Sequence, residues 1–160
     1  MAISIKTVQR AILSEVESQA FYRFASDLAD RDDTRMLFLE LADLEVDHAR
    51  DLARRVSEPP LNLDFDALGY VEKMENRVSG TLSPADEKTV RDGDAGAVLS
   101  LARRREAKAR DIYRELAQEA DDPAMQAFCE ELSFVEQSHL DQVGKLAAAL
   151  SMPNSERPSL

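Results

Sequence analysis

A chain of 160 residues with 44% apolar and 32% charged content is long enough for a full buried core and ordinary for one soluble domain. Its formal net charge of −11 excludes a typical nucleic-acid binder, since phosphate contacts need a clustered basic surface and Arg103-Arg104-Arg105 is one turn inside an acidic chain. The single Cys129 excludes an intrachain disulfide and any four-cysteine metal site. No window reaches the ~18 apolar residues of a membrane span and the N-terminus lacks a signal-peptide stretch, so a cytoplasmic protein is expected.

Glycine is scarce, and apolar residues recur at helical spacing over four long segments. The first runs from about Ser4, a candidate N-cap, to about Ala29; the second starts near Asp33 and ends before Pro59-Pro60. Residues 59–93 hold six of the eleven prolines and glycines taken together, with weaker helical patches near 66–76 and 84–91, and read as a crossover that returns the chain along a bundle. The third long segment begins after Gly93-Asp94 and runs to about Ala120. The fourth opens at Asp122-Pro123, an N-cap followed by proline at the first helical position, and ends near Leu150. Residues 1–150 are thus expected as one all-α bundle of two helical hairpins, and 151–160 as a mobile C-terminal tail.

Both histidines of the chain stand three residues after a glutamate, in Glu45-Val-Asp-His48 and Glu136-Gln-Ser-His139. On a helix, i and i+3 lie on one face about a turn apart, so each pair can offer a carboxylate and an imidazole to one metal. Each hairpin also carries a glutamate on the core stripe of its first helix. Glu17 is flanked at helical spacing by Leu13, Ala20, Phe21, Phe24 and Leu28, and Glu106 by Val98, Ala102, Ala109, Tyr113 and Leu116. Glu17 precedes Glu45 by 28 residues and Glu106 precedes Glu136 by 30, an internal repeat with a two-residue difference placed at the start of the second helix.

Four carboxylates facing one interior repel and must protonate or find cations; two divalent ions would balance them, with His48 and His139 neutral. The mixed carboxylate and imidazole set suits iron or manganese, with zinc competent to replace them. Tyr113, two turns beyond Glu106 on the same face, is a candidate electron donor. Tyr22, five residues past Glu17 and about 140° around the helix, is expected to be unrelated to the site.

These residues bring the chain to a family pattern. Over about residues 8–150 it resembles the ferritin-like di-iron carboxylate proteins, especially rubrerythrin-like proteins and bacterioferritins, whose motif is one glutamate plus one Glu-x-x-His per hairpin. Glu17-Ser-Gln-Ala, followed seven residues later by an aromatic, looks like the first helix of rubrerythrins, and Leu41-Ala-x-x-Glu45-x-x-His48-Ala like their second. The resemblance implies a ferritin-like four-helix bundle with one long crossover between the second and third long helices. It implies two iron ions bridged by Glu45 and Glu136, one completed by Glu17 and His48 and the other by Glu106 and His139. The implied activity is reaction with dioxygen or hydrogen peroxide, as a peroxidase or ferroxidase in oxidative-stress defence or iron handling, in a homodimer or higher homo-oligomer. Ala109 stands where true rubrerythrins carry a further glutamate, and the one cysteine cannot build their cysteine-rich rubredoxin-like site, so the electron donor is expected to be external. A non-enzymatic metal-binding or assembly module of the same fold is the alternative.

Overall fold

The computed structural model describes residues 3–78 and 82–157, and among them all regular structure is helical. Four long helices, α1 (Ile5–Leu28), α2 (Asp32–Ser57), α5 (Ala95–Glu119) and α6 (Pro123–Leu150), are accompanied by two shorter ones, α3 (Ala67–Val78) and α4 (Pro84–Asp92). The helix ends follow local chemistry. Asp94 and Asp122 accept from the backbone N–H of Ala97 and Met125, each at 2.8 Å, and Ser83 from Asp86 N–H at 3.1 Å, satisfying donors that the first turn leaves free. Ser4 sits at the N-cap of α1, but its side chain makes no capping bond. Glu119 of α5 closes that end instead, accepting from Ser4 N–H and Thr7 Oγ1, both at 3.0 Å.

The core is divided in two. One cluster joins Val8, Ile12 and Val16 of α1, Leu52 and Val56 of α2, Ile112 and Leu116 of α5, and Met125 and Cys129 of α6. The other joins Phe21 and Ala25 of α1, Phe38 and Leu41 of α2, Leu99 and Ala102 of α5, and Val143 and Leu146 of α6. The front half of α1 therefore meets the rear half of α2, the rear half of α5 and the front half of α6. Between the clusters lies a layer of buried polar side chains. Of the shorter helices, α3 adds Ala67, Val71 and Met74 to the first cluster and α4 adds Val90 to the second, so both pack on the long helices rather than standing away from them.

Past α6, Asn154–Glu156 form a 3₁₀ turn, and Arg157 donates through Nε and Nη2 to the carbonyls of Met152 and Leu150, at 3.0 and 3.1 Å. The rest of the expected tail lies outside the described residues. Among the described residues, no helix is long and apolar enough to cross a membrane.

Candidate metal centre

The polar layer is built from one glutamate on each of α1 and α5 and one Glu-x-x-His on each of α2 and α6. Glu45 and Glu136 are wholly buried, Glu106 and His139 nearly so, and His48 is 8% exposed. The member from α1 is Glu15, also wholly buried, not Glu17. Glu17 is half-buried on another face, where it lines a cavity of about 320 Å³ with Arg77, Asp86 and Arg105. The expected position was two residues off, which on a helix is about 200° of rotation.

With Glu15 in place the internal repeat has no offset. Glu15 and Glu106, Tyr22 and Tyr113, Glu45 and Glu136, and His48 and His139 are all 91 residues apart. The layer also includes both tyrosines. Tyr113 Oη donates to Glu15 Oε1, and Tyr22 Oη donates to Glu106 Oε1, each bond crossing between hairpins. Tyr113, the candidate electron donor, thus stands beside the site, bonded to the carboxylate of the other hairpin. Tyr22, expected to be unrelated, is its counterpart, and the Glu-x₆-Tyr spacing shared by α1 and α5 was the signal for it.

Potential ligand atoms fall into two overlapping quartets, Glu15-Glu45-His48-Glu136 and Glu45-Glu106-Glu136-His139, the atoms of each lying within 4.8 Å of one another. Glu45 and Glu136 belong to both. His48 Nδ1 is 2.8 Å from Glu136 Oε1 and 3.8 Å from Glu15 Oε1. His139 Nδ1 is 3.4 Å from Glu106 Oε2 and 3.5 Å from both Glu45 Oε1 and Glu136 Oε2. None of these approaches has the directional geometry of a hydrogen bond, although His48 and Glu136 are close enough for their charges to attract strongly. Both Nδ1 atoms, both oxygens of Glu45 and of Glu136, and Oε2 of Glu15 and of Glu106 are buried without a directional hydrogen bond. Leaving so many polar atoms unsatisfied is costly unless something else meets them, and their convergence on two common points fits cations.

The electrostatics are those of an overcrowded acidic interior. Burial raises Glu15 to about 7, reinforced by Glu136. Burial likewise raises Glu106 to about 7. Glu45 stands well above the ordinary carboxylate range, through burial and then the charges of Glu15 and Glu136. Burial would raise Glu136 too, but His139 and His48 beside it hold it at about 2. Burial disfavours the His139 imidazolium, yet Glu106 and Glu136 lift it to about 10. Both phenols are pushed well above their usual range, chiefly by burial, and stay protonated as donors. Buried carboxylates and histidines that can hold a metal ion are therefore present at the centre of a helical-bundle-like protein. Comparison with models of known protein families, with characterised proteins and with solved structures finds no match.

Proposed function

We propose that this chain is a ferritin-like, carboxylate-bridged two-metal protein that binds two ferrous ions and reacts with dioxygen or hydrogen peroxide. The observation that carries the reading is the pair of overlapping quartets sharing Glu45 and Glu136, with eight ligand-type atoms buried and unpartnered. In this reading Glu15 and His48 would hold one ion, Glu106 and His139 the other, and Glu45 and Glu136, which belong to both groups, would serve both. The donor set is hard oxygen with one imidazole per metal, which favours iron or manganese. Two divalent charges would offset the four carboxylates, which repel one another in the metal-free protein. The ferritin-like topology is supported by the division of the core, in which the rear halves of α2 and α5 share one cluster, the arrangement produced when residues 59–93 return the chain.

Bound iron would supply two electrons to the oxidant. The residues supply the setting. Phe21 and Phe38 on one side, and Ile112, Leu116 and Val16 on the other, belong to apolar clusters that flank the layer and would limit the entry of water. Tyr22 and Tyr113 hold two of the carboxylates in place, and the two Nδ1 atoms sit where each imidazole can ligate as the neutral base.

The test is anaerobic loading of metal-free protein with ferrous iron, then addition of hydrogen peroxide or dioxygen, with His139→Ala alongside. Two irons per chain, oxidised rapidly in the wild type and slowly in the variant, are expected. One iron or none, or a variant that oxidises iron as fast as the wild type, would contradict the proposal.

A further inference from the structure

The four buried glutamates are of two kinds. In Glu15 and Glu106, Oε1 accepts a tyrosine hydroxyl and only Oε2 is left without a partner. In Glu45 and Glu136, both oxygens are left without one. A carboxylate with one oxygen occupied by a phenol has one oxygen to give; a carboxylate with both free can span two ions. The division follows the quartets, since the glutamates with two free oxygens are the two that belong to both groups.

The tyrosines are well placed to enforce that division. Tyr22 is wholly buried and Tyr113 is 1% exposed. The Tyr22 ring is flanked by Phe21 at 5.0 Å and Phe38 at 5.6 Å between centroids. Tyr113 lies in the first apolar cluster with Ile112, Leu116 and Ala117. A buried hydroxyl on a fixed ring has few other acceptors, so the carboxylate it meets is fixed in turn. Each bond also reaches from one hairpin to the glutamate of the other, and the two bonds are related by the same 91-residue register as the ligands.

We infer that Tyr22 and Tyr113 are positioning residues that confine Glu106 and Glu15 to terminal, single-oxygen ligation and leave the bridging role to Glu45 and Glu136. The inference rests on the two-metal reading. Each tyrosine therefore serves the metal position completed by the other hairpin: Tyr22 that of Glu106 and His139, Tyr113 that of Glu15 and His48. Losing an outer partner of a ligand typically costs about 10- to 100-fold in metal affinity, and here the loss falls on one ion of the pair.

The experiment is anaerobic calorimetric titration of ferrous iron into the full chain. With His139→Ala as background, Tyr113→Phe should weaken the remaining ion about 10- to 100-fold and Tyr22→Phe should leave it unchanged. With His48→Ala as background the two variants should exchange roles. Melting of each metal-free variant separates a local effect from general loosening. Infrared spectra of the iron-loaded wild type need no variant and should show single-oxygen carboxylate bands beside bridging ones. Two ions in the wild type with both tyrosine variants equally weakened, unweakened or tighter, or only bridging bands, would overturn the inference alone. A wild type that takes up no iron would overturn the two-metal reading and this inference with it.

Discussion

His48 and His139 lie stacked at the centre of the bundle, their ring centroids 5.6 Å apart and their planes within 10°, although each belongs to a different hairpin. Two imidazolium ions in that arrangement repel, and a neighbouring His139 lowers the His48 pKa. The surrounding carboxylates nonetheless raise both histidines. The metal-free centre is thus a store of protons shared among carboxylates and imidazoles, and a cation must displace them to bind.

Metal affinity is accordingly expected to rise with pH. Glu15 and Glu106 lose their protons near 7 and His139 near 10, so ferrous-iron binding should tighten steadily between about pH 6 and pH 8. Calorimetry in buffers of differing ionisation enthalpy would count the protons released. A pH-independent affinity with no proton release would contradict the assignment of these residues as ligands.

The metal-free protein should lose stability over the same range. Glu15 and Glu106, raised from 4.5 to about 7, bind more protons folded than unfolded within that window, so stability falls as pH climbs through it. Glu45 acts in the same direction. His139, raised to about 10, contributes stability that is fully present below 6.5 and lost as pH rises toward 10. Glu136, lowered to about 2, contributes above 4.5 and loses that contribution only as pH falls toward 2, outside the window. Thermal melts of the metal-free chain from about pH 5 to pH 9 should show a falling Tm, and a rising one would contradict this balance.

Ligand variants separate Glu15 from Glu17. An ion held at 100 times its Kd stabilises the fold by about 2.7 kcal/mol, or roughly 5–10 °C in Tm for a chain of this size. Glu15→Ala should forfeit one ion and its share of that gain, whereas Glu17→Ala should bind and melt like the wild type. The reverse pattern would make Glu17 rather than Glu15 the ligand.

The distinction shows how far the sequence was legible. Helix ends were readable because Asp94, Asp122 and Pro123 mark them chemically, and α1 and α6 end within a residue of expectation. Glu45, His48, Glu106, Glu136 and His139 were readable because a Glu-x-x-His or an isolated acid on a narrow apolar stripe is conspicuous, and the structure brings all five together. On α1 that argument failed. This helix meets α2, α3, α4 and α5, so Val8, Ala11, Ile12, Ser14, Glu15, Val16 and Ser18 are all buried and its apolar side is too broad to choose between two nearby acids. Leu28, counted among the neighbours of Glu17, is 45% exposed. The gap-free 91-residue register would have decided it, and would have brought Tyr22 into the site as well.

Loss of fold stability alone should leave the centre intact. Asp122→Ala removes the cap on α6 and should cost about 1 kcal/mol, lowering Tm by roughly 2–4 °C. Iron stoichiometry, measured by anaerobic titration, should stay as in the wild type. Loss of an ion would show that the ligand layer depends on the helix end rather than on its own geometry.

The most direct measurement is anomalous X-ray diffraction from crystals soaked in a divalent metal, recorded at that metal's absorption edge. Two peaks in the layer between the apolar clusters are expected, one ligated by Glu15 and His48, one by Glu106 and His139, and both by Glu45 and Glu136. A single peak, no peak in the layer, or metal at surface carboxylates only would contradict the account.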